Sequence, residues 1–128
     1  MTIRTADADV LERLGLDHTV QAEGAFLAVV VTGFPTPAGL TPVASDLLIR
    51  LPPGFPDAGP DMFWLSPGVT TAAGGVIPGT EQTENYLGRQ WQRWSRHIGG
   101  QWRPGIDNLD TYLAYIRRCL AQAAQPIP

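Results

Sequence analysis

Lysine is missing altogether from this 128-residue chain: all nine cations are arginine, set against twelve acidic residues for a formal charge of −3. That balance argues against a dedicated nucleic-acid binder, because neutralising phosphates takes a strongly basic face. Cysteine occurs once, as Cys119, which excludes an internal disulfide and a thiol-built zinc cluster and fits a reducing cytoplasm. Histidine occurs only as His18 and His97, too few and too distant in sequence to nominate a metal site. The longest apolar run, from Phe26 to Val31, is strand-sized and bounded by Gly24 and Gly33, far short of the roughly 18 residues a membrane span needs. No membrane partner is expected. Met1 to Asp9 carries Asp7 and Asp9 with no apolar signal core, which reads as non-secretory. Gly74-Gly75 and Gly99-Gly100 lack the Lys-Ser/Thr that completes a phosphate loop, so no nucleotide or other cofactor is expected.

What is present is 44% hydrophobic residues and 14 glycines and 12 prolines, enough apolar chain for one domain over residues 1–128. Charge is uneven: residues 1–88 carry −7 and residues 89–128 carry +4, so the C-terminal part is suited to an acidic partner. Val10, Leu11 and Leu14 fall at helical spacing, with Gly15 as terminator, which predicts a helix over 6–16. His18 to Gln21 and Phe26 to Thr32 read as a hairpin turning at Glu23-Gly24, and Val43 to Leu51 as a third strand with Leu47, Ile49 and Leu51 on one face. Four prolines within 51–60 rule out helix or central strand there and predict a rigid crossing loop before a fourth strand at Met62 to Leu65. From Ser66 to about Gln90 periodicity fades, predicting a long loop. Leu109, Leu113, Ile116 and Leu120 then mark a helix capped by Asp107 or Asn108 and stopped by the tail Gln125-Pro-Ile-Pro. The expected fold is α+β: an N-terminal helix, a four-stranded antiparallel meander, a long loop and a C-terminal helix.

The chemically loaded stretch is Trp91 to Gly105, which holds three of the four tryptophans, three arginines and His97. Two readings stand side by side. In one, Trp91, Trp94 and Trp102 are core and the arginines cover them. In the other, Arg89, Arg93 and Arg96 contact an acidic surface, with Trp94, Ser95 and Trp102 alongside and His97 as the catalytic candidate, a general base or hydrogen-bond donor near neutral pH with Ser95 as nucleophile if His97 reaches it. Cys119 follows Ile116 by three positions and so falls near the helix's apolar face, where a buried structural thiol is expected.

Gly54-Phe55-Pro56-Asp57-Ala58-Gly59-Pro60-Asp61-Met62-Phe63-Trp64, Trp91-Gln-Arg-Trp94-Ser95-Arg96-His97 and Trp102-Arg103-Pro104 together resemble the ubiquitin-conjugating (UBC) fold, and within it the prokaryotic ubiquitin-conjugating-enzyme-like family E. The first looks like the proline-rich turn and fourth strand of that fold, the second like a signature of family E, and the third like the Trp-x-Pro before the following helix. The resemblance implies a UBC-like fold over nearly the whole chain and a place in a bacterial conjugation pathway. Its partners there would be a ubiquitin-like protein, a ThiF-like adenylating activating enzyme and a JAB-type metallopeptidase. Active UBC proteins carry a cysteine about eight residues before Trp-x-Pro and an upstream His-Pro-Asn; here the count lands on Trp94, and His-Pro-Asn is absent. The readings left open are a module that holds the ubiquitin-like protein without the usual cysteine, an enzyme working through a residue such as His97, and a scaffold or small-molecule-binding α+β domain.

Overall fold

A computed structural model describes residues 2–125. Helix α1 (Thr5–Leu14) ends where Gly15 turns left-handed at φ 70°, a conformation glycine adopts without strain. Strands β1 (His18–Glu23) and β2 (Phe26–Pro35) form the expected hairpin, with Glu23 opposite Phe26. After a two-residue strand, β3 (Leu40–Thr41), the sheet continues through β4 (Ala44–Leu51), the proline turns of 52–60 and β5 (Phe63–Ser66). Strand β6 (Thr70–Thr71) pairs with β3 in a separate ribbon.

The expected four-stranded meander is corrected to a six-stranded antiparallel sheet in the order β1-β2-β4-β5-β8-β7. The added strands are β7 (Thr83–Tyr86) and β8 (Arg89–Trp94), and they begin within the last third of the stretch expected to be loop. Two features hid them. Trp91 and Trp94 are three residues apart, so the pleat sends them to opposite faces and no apolar alternation appears. The turn between the strands, Leu87-Gly88, puts Leu87 at φ 56° where Asn or Gly is the usual signal.

Strand alternation sorts the remaining residues cleanly. Val29, Val31, Leu47, Ile49, Phe63, Leu65 and Trp94 face the two helices and form the main core with Leu11 of α1 and Leu113, Ile116 and Leu120 of α2 (Leu109–Ala124). The opposite face carries a smaller cluster of Ala28, Leu48, Trp64 and Trp91, roofed by Tyr86, Leu87, Val30 and Met62. Arg50 lies 4.2 Å from the Phe26 ring centre and 4.3 Å from that of Tyr86, so a cation closes this face where no helix does. Asn108 caps α2: its side chain accepts from Thr111 N–H at 3.1 Å while Thr111 Oγ1 accepts from Asn108 N–H at 2.9 Å. Asp107 has a different task, accepting from the Arg103 backbone N–H at 2.8 Å and from its guanidinium at 3.0 Å. The prolines of the C-terminal tail lie outside the described residues.

Candidate functional site

The proline turn and the segment leaving β8 meet over the sheet end nearest α2. Trp102 joins them: its indole N–H donates to Pro56 O at 2.8 Å, and its ring sits 6.0 Å from Phe55 and 6.2 Å from Tyr112, centre to centre. Gly59 lies flat against that ring, so close that a Cβ there would stand 2.5 Å from Cδ2. A cleft of about 320 Å³ opens beside this contact, lined by Gly59, Pro60, Asp61, His97, Ile98, Gly99 and Trp102.

His97 stands on the wall of this cleft with Nδ1 2.6 Å from Asp61 Oδ1. The side chains are 59% and 62% exposed, so the pair meets at the surface and contributes little to stability. The backbone brings it together: Met62 N–H donates to Arg96 O at 3.2 Å, tying the residue after Asp61 to the residue before His97. Met62 itself holds φ 63°, sterically costly for a residue with a side chain, and Tyr112 Oη donates to its carbonyl at 2.6 Å. Asp61 was not a candidate on sequence grounds. An acid right after a proline turn is an ordinary turn residue, and 36 positions separate it from His97.

The residues singled out from the sequence fall in three places. Trp94 is fully buried, stacked on Phe63 at 5.4 Å, and offers a partner no surface. Arg89 and Arg93 ride β8 on the sheet face away from the helices, already paired with acids: Arg89 with Asp46 at 3.1 Å and Arg93 with Glu84 at 3.6 Å. Ser95, Arg96, His97 and Trp102 lie at or beyond the strand end. Ser95 is not the residue that engages His97 Nδ1; Asp61 is. Arg96 packs 5.1 Å from the Trp94 ring centre and reaches the wall of a second cleft, of about 300 Å³, that also includes Ile77, Pro78 and Cys119.

Cys119 faces the main core from α2 and is 5% exposed. Burial pushes its thiol up, partly offset by Tyr115 and Arg96, so it is a poor nucleophile near neutral pH. Burial likewise raises the Tyr115 hydroxyl to about 12. The Arg103 guanidinium holds the Asp107 carboxyl below the usual carboxylate range. Among the described residues no three of His, Cys, Asp and Glu gather as a metal set, and no helix is long and apolar enough to cross a membrane.

A family model described as prokaryotic E2 family E matches residues 3–123. The chain belongs to that family. No curated protein and no solved structure matches it. Membership in prokaryotic E2 family E fits the mixed α+β architecture, with the proline turn, β5 and the Trp102-to-α2 segment in the order expected of a UBC-like fold. The β7-β8 hairpin extends the expected sheet by two strands.

Proposed function

We propose that this family E member is a UBC-fold component of a ubiquitin-like conjugation pathway that holds the ubiquitin-like protein without forming a thioester of its own. The observation that supports this reading is the fate of its one thiol: Cys119 is packed into the core from α2. The position eight residues before Trp102, where active UBC proteins carry cysteine, is the buried Trp94. The partners are the ubiquitin-like protein and a ThiF-like adenylating activating enzyme, with a JAB-type metallopeptidase acting in the same pathway, in the cytoplasm. Contact runs through the 89–104 segment, with Arg96 at its centre because Arg89 and Arg93 already neutralise acids of their own chain. Calorimetric titration of the ubiquitin-like protein into the wild type, Cys119→Ala and Arg96→Ala tests this. Binding is retained in Cys119→Ala and weakened in Arg96→Ala; dependence on the thiol would refute the reading.

A second reading is favoured by the bond between His97 and Asp61: the chain accepts the acyl group on His97 instead of on cysteine. An acyl-imidazole trapped on His97 would be sensitive to hydroxylamine and absent from His97→Ala.

A further inference from the structure

We propose that Asp61 is a positioning residue that fixes the proton of His97 on Nδ1 and so makes Nε2 the acyl-accepting atom of the cleft. The inference rests on the second reading above for its biological use, but its chemistry is a property of the chain alone. An ionised carboxylate only accepts hydrogen bonds, so at 2.6 Å from Asp61 Oδ1 the ring nitrogen Nδ1 must be the protonated one. The lone pair of neutral His97 is then on Nε2, the nitrogen left unengaged on a residue that lines the 320 Å³ cleft.

The backbone makes this pairing a built feature and not a chance meeting of two exposed side chains. The Met62 N–H bond to Arg96 O spans the two flanking residues, and the costly φ of Met62 is held by Tyr112 Oη from α2. Strain of this kind persists only where the surroundings over-determine it, and here it sits next to Asp61. Beside the pair, Gly59 lies against Trp102 with no room for a Cβ.

The substrate class is an activated acyl group, such as a thioester carried by another protein. Nε2 attacks the carbonyl carbon, the N–C bond forms, the C–S bond breaks, and the thiolate leaves with the electron pair. The acyl-imidazolium keeps its Nδ1 proton against Asp61 until that proton passes to the departing thiolate or to water. Asp61 thus accompanies the positive charge that develops on the ring.

The test uses the isolated chain and diethyl pyrocarbonate as the acyl donor. Wild type, Asp61→Asn and Asp61→Ala are compared by the rate of Nε2 acylation, read by peptide mass with His18 as internal reference, and by the ¹⁵N shifts that report which ring nitrogen carries the proton. Wild-type His97 carries its proton on Nδ1; both variants show mixed tautomers, and acylation of His97 relative to His18 slows roughly two- to fivefold, the range expected for an exposed charged pair. An unchanged tautomer in the variants overturns the proposal, whether or not the rate falls, because a rate change alone would be structural. No acyl adduct on wild-type His97 in the assembled pathway, with the tautomer effect intact, would count against the second reading and leave this inference standing.

Discussion

Replacing Gly59 by alanine probes the contact on which the cleft is built. The added methyl would stand 2.5 Å from Trp102 Cδ2, 2.6 Å from Cγ and 3.0 Å from Cε2, all atoms of a rigid ring. Trp102 has no easy retreat: its N–H is held by Pro56 O at 2.8 Å, and Phe55 and Tyr112 stand at its other sides. The clash must be relieved by shifting the proline turn or the start of the α2 approach, at an overpacking cost of about 1–3 kcal/mol. At this chain length that lowers Tm by about 4 °C per kcal/mol, so a fall of about 4–12 °C is expected by calorimetry. Gly100→Ala is the control. A Cβ there meets nothing within 4 Å, and its effect stays within about 0.5 kcal/mol of wild type, or is mildly stabilising through the unfolded chain. If Gly59→Ala and Gly100→Ala melt together, the packing of the turn against Trp102 is not what shapes the cleft.

Three further outcomes follow from the same geometry. Asp107, held below the ordinary carboxylate range chiefly by its bonds from Arg103, contributes stability that is present above about pH 4 and lost as pH falls through its folded value. Asp107→Asn therefore destabilises near neutrality and flattens the acid limb of an unfolding-versus-pH series; an unaltered limb would contradict this. Asn108→Ala removes the capping box of α2 and costs about 1 kcal/mol in urea denaturation, with Thr111→Ala costing a similar amount and the double variant less than the sum. The Cys119 thiol, raised by burial, reacts with Ellman's reagent slowly in the native state and at the rate of a free thiol once unfolded; rapid native labelling at pH 7 would mean the thiol is accessible.

Legibility in the sequence tracked how local each signal is. Helix α2 was visible because Leu109, Leu113, Ile116 and Leu120 repeat at helical spacing and all four reach the core. The β1-β2 hairpin and β4 show in their alternation and glycine punctuation, and the place of Cys119 on the helix's apolar face marks it as a buried thiol. The β7-β8 hairpin was invisible because its tryptophans serve opposite faces and its turn begins with a leucine in a glycine's conformation. The arginines of 89–96 do not form one basic surface: Arg89 and Arg93 share one face of β8, each paired with an acid, and Arg96 lies past the strand's end. The Asp61 and His97 pair depends on a backbone kink at Met62 and a bond from α2, and neither leaves a local pattern.

On the proposed function, the chain works without a thioester on its own cysteine. The most direct test is intact mass after incubation with the activating enzyme, ATP and the ubiquitin-like protein, for wild type, Cys119→Ala and His97→Ala. Cys119→Ala is expected to behave as wild type, either with no adduct and measurable non-covalent binding or with an adduct that only His97→Ala abolishes. An adduct present in wild type and lost only in Cys119→Ala would contradict it.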